Sequence, residues 1–140
     1  MCEQAVTGIA YPSGGDKLYS GSMDGNTPSL ELPYWSIMAK YWHGSHTQGI
    51  VCLTIGRNML YSGSFDGTIK KWDLGTLQCL ATAKGHSSAV MSLTCWDYYL
   101  VSCSLDGTIK AWGATQDGGL EVCYTHEEKQ VWFFLITINN

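Results

Sequence analysis

Residues 60–73 read LYSGSFDGTIKKWD, and residues 100–113 read LVSCSLDGTIKAWG. Part of the same stretch occurs a third time at residues 18–25, as LYSGSMDG. Self-similarity at a fixed period of about 40 residues is typical of a chain built from repeated supersecondary units that stack on their neighbours. The sequence therefore predicts a repeat architecture.

The period also holds outside this stretch. Each repeat has a histidine well upstream of its aspartate and tryptophan, and the two offsets are identical in both units. A histidine, a serine pair, an Asp-Gly turn and a tryptophan that all keep one offset indicate a genuine repeat. The matched sets are His46/Asp66/Trp72 and His86/Asp106/Trp112.

Each unit is predicted to contain four short strands. The runs have strand length, and an Asp-Gly pair, which favours a tight hairpin turn, separates the second run from the third. The predicted strands are 50–55, 59–64, 68–72 and 76–82 in one unit, and 90–95, 99–104, 108–112 and 120–125 in the next.

Four antiparallel strands at this period, with Gly85-His86 before a first strand and Trp72-Asp73 closing a third, resemble WD40 repeats. The resemblance covers about residues 2–126 and implies an all-β fold. That fold is an incomplete WD40 β-propeller with two complete four-stranded antiparallel blades plus partial blades. More narrowly, motifs such as Gly119-Leu-Glu-Val122 are similar to those in the WD40 region of plant CCCH zinc-finger/WD-repeat proteins.

The predicted repeat units are residues 1–43, 44–84, 85–124 and 125–140. The first is a degenerate repeat, because Cys2 and Leu30 stand where the repeat histidine and tryptophan are expected, and Pro28 and Pro33 each remove a backbone donor. The last is an aberrant start of a further repeat, in which His126 keeps the spacing of the repeat histidines. A propeller closes with about 4 to 8 blades. Two complete units therefore predict a fragment of a larger propeller protein.

The resemblance also implies a role for the repeated polar residues. In WD40 blades the histidine, a serine of the second strand, the turn aspartate and the tryptophan form a hydrogen-bonded network that satisfies buried polar groups. Ser64 and Ser104 are the alternatives for the two serines. The predicted network residues are His46, Ser62, Asp66 and Trp72 in one unit, and His86, Ser102, Asp106 and Trp112 in the next.

A Ser-His-Asp hydrolase would use the same residue types. However, the set occurs twice, and the sequence contains no Gly-x-Ser-x-Gly nucleophile elbow. We therefore expect no enzyme and no catalytic residue.

The six cysteines include no CxxC pair. Cys95, Cys103, Cys123 and His126 are too widely and too unevenly spaced along the chain to match a compact CCCH finger. We expect no metal, no cofactor, and reduced cysteines that are mostly buried.

Charge and hydropathy limit the function classes. The formal net charge of −4, with only eight scattered basic residues, disfavours direct binding of nucleic acid by this segment. No apolar run reaches the ~18 residues of a transmembrane helix, and the first residues lack a signal-peptide pattern. We expect an intracellular protein, in the nucleus or cytoplasm, without a membrane partner.

The resemblance implies a non-catalytic protein-interaction scaffold with protein or peptide partners. Candidate contact loops are 44–47 and 84–88 on one rim, and 73–75 and 116–119 on the other. The alternative is an RNA/DNA-associated CCCH zinc-finger WD-repeat protein whose zinc fingers are missing from this chain.

Overall fold

A computed structural model of the chain describes residues 6–10, 19–22 and 46–127. Every regular element in these ranges is a β-strand. In chain order the strands are β1 (Val6–Ala10), β2 (Tyr19–Ser22), β3 (Ile50–Gly56), β4 (Met59–Ser64), β5 (Thr68–Asp73), β6 (Cys79–Lys84), β7 (Val90–Trp96), β8 (Tyr99–Ser104), β9 (Thr108–Ala114) and β10 (Leu120–Glu127).

The strands form two four-stranded antiparallel sheets, β3-β4-β5-β6 and β7-β8-β9-β10, in which each strand pairs with its neighbour in sequence. The prediction of two complete four-stranded units is therefore confirmed. β1 and β2 form a separate antiparallel pair. The predictions that rest on Cys2, on residues 28–33 and on the segment after Glu127 lie outside the described residues.

The turns between the second and third strands require glycine. Gly67 and Gly107 have φ angles of 80° and 81°, in the left-handed region that favours glycine. A Cβ on Gly67 would also lie 2.9 Å from the carbonyl oxygen of His86. This glycine therefore lets the connection before β7 approach the turn of the first sheet.

The fourth strand of the first sheet begins later than its predicted start at residue 76. Asp73 Oδ1 accepts hydrogen bonds from the backbone amides of Gly75 and Thr76, both at 2.8 Å. These bonds hold the residues after β5 in a turn, so β6 begins only at Cys79.

The fourth strand of the second sheet extends past residue 125 and includes His126, which pairs with Ile109. Trp72 pairs with Cys79, and Trp112 pairs with Val122. The chain between the paired residues is longer in the second sheet than in the first. The second hairpin is therefore longer, and His126 lies in a strand instead of in a connection before one.

The main core lies between the two four-stranded sheets. Gly63 on β4 permits their close approach, because a Cβ there would lie 2.7 Å from Val90 Cγ1. The buried residues of this core are Tyr61, Ile69, Ala83, Val90, Leu93, Leu100 and Trp112. A second buried cluster contains Ala10, Ile50, Leu60 and Trp72.

Candidate functional site

Four polar or aromatic side chains of the first sheet meet around a buried hydroxyl. His46 precedes β3, Ser62 lies on β4, Asp66 lies in the following turn and Trp72 lies on β5. His46 Nε2 is 2.8 Å from Ser62 Oγ, and His46 Nδ1 is 3.2 Å from Asp66 Oδ2. Trp72 Nε1 donates to Ser62 Oγ at 2.9 Å. The structure thus brings together the four residues that the sequence singles out in this unit.

The second sheet contains the same arrangement at the equivalent repeat positions. His86 Nε2 is 2.7 Å from Ser102 Oγ, and His86 Nδ1 is 2.9 Å from Asp106 Oδ2. Trp112 Nε1 donates to Ser102 Oγ at 2.8 Å. The two sheets therefore share the geometry of this network as well as its residue types.

The hydrogen-bond partners assign every proton in the first cluster. The indole N–H of Trp72 donates to Ser62, so the Ser62 hydroxyl proton is free to point at His46 Nε2. His46 Nε2 is then an acceptor, and its Nδ1 carries the proton that faces Asp66. A neutral imidazole with the proton on Nδ1 satisfies all four groups.

Ser64 and Ser104, the two alternative serines, bind the neighbouring backbone instead. Ser64 Oγ lies 3.0 and 2.9 Å from the carbonyl oxygens of Gln48 and Gly49, to which it donates. Ser104 Oγ donates to the carbonyl oxygen of Ser88 at 3.1 Å. Neither takes the position between imidazole and indole.

Sequence reasoning missed Thr68 and Thr108, which extend the two clusters. Thr68 Oγ1 donates to Asp66 Oδ1 at 2.6 Å and lies 3.0 Å from His46 Nδ1. Thr108 makes the corresponding contacts at 2.6 and 3.1 Å. The recurrence of Asp-Gly-Thr at the same offset is the signal that identifies them.

Burial and hydrogen bonding set the charges of each pair. Burial lowers the pKa of His46 and His86, and the adjacent carboxylates oppose this effect without overcoming it. Burial would raise the pKa of Asp66 and Asp106, but hydrogen bonds, chiefly from the threonine hydroxyls, lower both to about 2. Each pair is therefore a carboxylate hydrogen-bonded to a neutral imidazole at pH 7.

The serine, histidine and aspartate contacts follow the order of a hydrolase triad. However, Ser62 and Ser102 are both 0% exposed, and each hydroxyl accepts an indole N–H. A nucleophile must reach its substrate, and a buried oxygen that is already engaged by tryptophan has no such access.

The cysteines are less buried than the sequence indicated. Cys79 and Cys123 are exposed, whereas Cys52, Cys95 and Cys103 are partly buried. The expectation of mostly buried thiols is wrong for Cys79 and Cys123, because β6 and β10 are the outermost strands of their sheets. All five are free thiols.

Metal sites and membrane spans are both absent from the described ranges. There, no group of three or more His, Cys, Asp or Glu residues could hold a metal ion. Residues 6–10, 19–22 and 46–127 also contain no helix of the length and apolar character needed to cross a membrane.

Comparison with known proteins gives matches along most of the chain. The family model described as "WD domain, G-beta repeat" matches residues 2–27, 39–73 and 77–113. Zinc finger CCCH domain-containing protein 17 of Oryza sativa subsp. japonica is 61% identical over 84 residues, which cover 60% of this chain and 19% of the rice protein. Zinc finger CCCH domain-containing protein 59 of Arabidopsis thaliana is 54% identical over 43 residues, 31% of this chain and 9% of that protein. The chain thus spans less than a fifth of the length of these curated relatives.

A solved structure shows the same fold. The WD40 repeats of RRP9 align with a TM-score of 0.70 at 20% sequence identity, covering 91% of this chain and 40% of the RRP9 chain. The prediction of an incomplete propeller is confirmed.

Proposed function

The chain belongs to the WD40 repeat family, and from this membership we propose that it is a non-catalytic protein-interaction scaffold. WD40 repeats imply an interaction scaffold with protein partners. We further propose that the chain corresponds to part of a larger propeller protein, since the aligned region is 19% of its rice relative. Proteins or peptides then bind the connecting loops at the rims of the sheets, which strands hold in place.

One feature of the hydrogen-bonded network supports the role of an interaction scaffold. Asp66 Oδ2 accepts a hydrogen bond from the backbone amide of Thr47 at 2.9 Å, and Asp106 Oδ2 accepts one from the amide of Ser87 at 3.1 Å. Thr47 and Ser87 are exposed. The buried network therefore fixes the backbone of solvent-facing loops, and a loop that is already ordered loses less entropy on binding.

The same network supports the absence of catalysis. Both serine hydroxyls are buried, and each accepts a hydrogen bond from a tryptophan indole N–H. Each of the two four-stranded sheets contains one such cluster. We assign the eight residues of the network a structural role. In each sheet they link the loop before the first strand and the turn after the second strand to the second and third strands.

Binding by rim variants tests the scaffold proposal. The proteins that the immobilised full chain retains are compared with those retained by two variants, Ser87→Arg on one rim and Gln116→Arg on the other. Both substituted positions are exposed. We expect a protein that one variant loses and the other retains. Equal retention by all three chains, or no retained protein, would argue against binding at the rims.

The relatives' names support one alternative, an RNA/DNA-associated CCCH zinc-finger WD-repeat protein whose fingers are missing from this chain. Fluorescence anisotropy with labelled single-stranded RNA tests whether this chain contacts nucleic acid directly. Binding that weakens steeply as salt rises would favour direct nucleic-acid contact, whereas no binding together with retained protein partners would favour the scaffold. We expect no RNA binding.

A further inference from the structure

A small cleft between the two four-stranded sheets opens on the rim formed by the β3–β4 and β7–β8 hairpins. Its volume is about 190 Å³, below the ~300–1,000 Å³ of pockets that enclose whole small-molecule ligands. The cleft therefore suits one side chain of a larger partner. Its lining combines a buried apolar interior with charged and aromatic groups at the surface: Tyr61 and Trp112 are buried, Lys71 is partly buried, and Arg57, Asp97 and Tyr98 are exposed.

The charged and aromatic residues of this cleft differ between the two repeats. Asp97 occupies the position in the second unit that Arg57 occupies in the first. Ala111 occupies the position equivalent to Lys71, and the first unit has no aromatic residue at the position of Tyr98. The cations therefore come from the first sheet and the exposed ring from the second. The architecture that the two units share does not require this combination.

Arg57 is held in place by an aromatic contact that leaves its hydrogen-bond donors uncovered. The guanidinium carbon lies 3.9 Å from the centroid of the Tyr98 ring, which is a cation–π contact. Within the part of the chain that the structure describes, no hydrogen bond or ion pair engages this guanidinium. A guanidinium is a planar fork of N–H donors that binds a carboxylate through two parallel hydrogen bonds. Arg57 is therefore positioned to receive a carboxylate from a partner.

The backbone at Arg57 does not favour an arginine. Arg57 and Asn58 have φ angles of 50° and 62°, so both central residues of the β3–β4 hairpin are left-handed. Such turns prefer asparagine, aspartate or glycine, because other side chains are strained there. Asn58 fits this preference and Arg57 does not. The turn alone does not account for the arginine, and strained residues are concentrated at functional sites.

The charges at the cleft favour an anionic group. Lys71 Nζ donates to the carbonyl oxygen of Gly118 at 3.1 Å, which holds the ammonium beside the candidate contact loop 116–119. Among the described residues, Asp97 is the only carboxylate in the lining, so two cations face one anion. We propose that the cleft binds a segment of a protein partner in which an aspartate or glutamate adjoins a large apolar side chain. The carboxylate pairs with Arg57 and the apolar side chain enters the cleft.

This assignment rests on the proposed scaffold function and specifies the chemistry of its partner. A random peptide library displayed on phage, selected on the full chain, provides the probe. We expect the enriched peptides to share an acidic residue beside a large apolar one. Fluorescence anisotropy with a synthetic enriched peptide then measures affinity. Arg57→Gln should weaken binding at least about tenfold, because a charge-assisted pair is lost, and Tyr98→Ala should also weaken it.

A change in the peptide tests the contact from the other side. Replacing the acidic residue of the peptide by its amide should weaken binding to the wild-type chain as much as Arg57→Gln does. The amide peptide should lose little more on Arg57→Gln, because both changes break the same contact. Additive losses would overturn the pairing of the peptide carboxylate with Arg57.

Lys84→Gln is the matched control, because it removes one exposed positive charge on the opposite rim, outside the lining of the cleft. It should leave the affinity unchanged, and thermal unfolding followed by circular dichroism shows which variants are folded. Binding that survives both Arg57→Gln and Tyr98→Ala, or that falls equally with Lys84→Gln, overturns this site while the scaffold proposal stands. A lack of enriched peptides also overturns the site, whereas the retention test with rim variants decides the scaffold proposal separately. A dimeric mass that Arg57→Gln makes monomeric assigns the cleft to a second copy and overturns the proposal too.

Discussion

Trp72 donates its indole N–H to Ser62 across 2.9 Å, and the two side chains are 3% and 0% exposed. The bond therefore lies where water cannot replace either partner, and leaving one group unpaired is costly. The same relationship links Trp112 to Ser102. The stability of both sheets should depend on this pair of bonds.

Truncation of the tryptophan should strongly destabilise the fold. We expect Trp72→Ala to lower the free energy of unfolding by about 3–5 kcal/mol, because it removes a large buried side chain and the donor to Ser62. Leu80→Ala, at a residue that is 48% exposed, should change it by less than about 0.5 kcal/mol. Urea unfolding followed by circular dichroism measures both. Similar small losses for the two variants would contradict the burial of Trp72.

Removal of the central hydroxyl tests the network itself. Ser62→Ala removes the hydroxyl that accepts from the Trp72 indole N–H and faces His46 Nε2, so we expect a loss of about 1–3 kcal/mol in unfolding free energy. In a double-mutant cycle with Trp72→Phe, the two losses should not add, because each change breaks the same bond. Additive losses would show that the serine and the tryptophan act independently.

Acidification should destabilise the protein in two steps. Because burial lowers the pKa of His46 and His86 below the ordinary 6.5, the unfolded chain binds protons more readily than the fold. The histidine contribution is complete above pH 6.5 and is lost as pH falls through the lower folded pKa. Asp66 and Asp106, with pKa lowered to about 2 from 3.8, add a second loss as pH falls below 3.8.

Urea midpoints between pH 8 and pH 5 measure the histidine step, in which Lys70 and Lys110 also disfavour the charged imidazoles. His46→Gln and His86→Gln should each reduce the slope. A midpoint that rises on acidification would contradict neutral histidines.

Two glycine variants should separate steric contact from backbone strain. Gly67 and Gly118 both have positive φ, at 80° and 87°. A Cβ on Gly67 would lie 2.9 Å from the His86 carbonyl oxygen, whereas a Cβ on Gly118 meets nothing within 4 Å. We expect Gly118→Ala to cost about 1 kcal/mol from strain alone. Gly67→Ala should cost more, as thermal unfolding will show; equal losses would exclude a role for the contact.

The cysteines should differ in reactivity. Burial raises the pKa of Cys52 to about 12, so this thiol is protonated at neutral pH and should react slowly. Cys79 and Cys123 are exposed and should be alkylated first. Timed iodoacetamide labelling with peptide mass spectrometry measures the order. Labelling of Cys52 at the rate of Cys79 would mean that the interface between the sheets opens readily.

The fold was largely predictable because the repeat carries its own local signals. The spans of β4 and β8 agree with those predicted from the alternation of strand-like runs and Asp-Gly turns. The predicted WD40 membership is confirmed by the family match. Thr68 and Thr108 were missed although Asp-Gly-Thr recurs in both units, because the recurrence marks the positions but does not say which hydrogen bonds the threonine hydroxyls make.

The sequence by itself determined the repeat and the four-strand unit, because turn chemistry and apolar runs act over a few neighbouring residues. The choice of His, Ser, Asp and Trp followed from the resemblance to WD40 repeats. Only the tertiary structure decided that His126 enters β10, that Cys79 and Cys123 face solvent, and that Trp96 and Tyr124 line an open groove. These outcomes depend on which distant segments pack against a side chain. Burial is a property of the assembled sheets, and no local pattern specifies it.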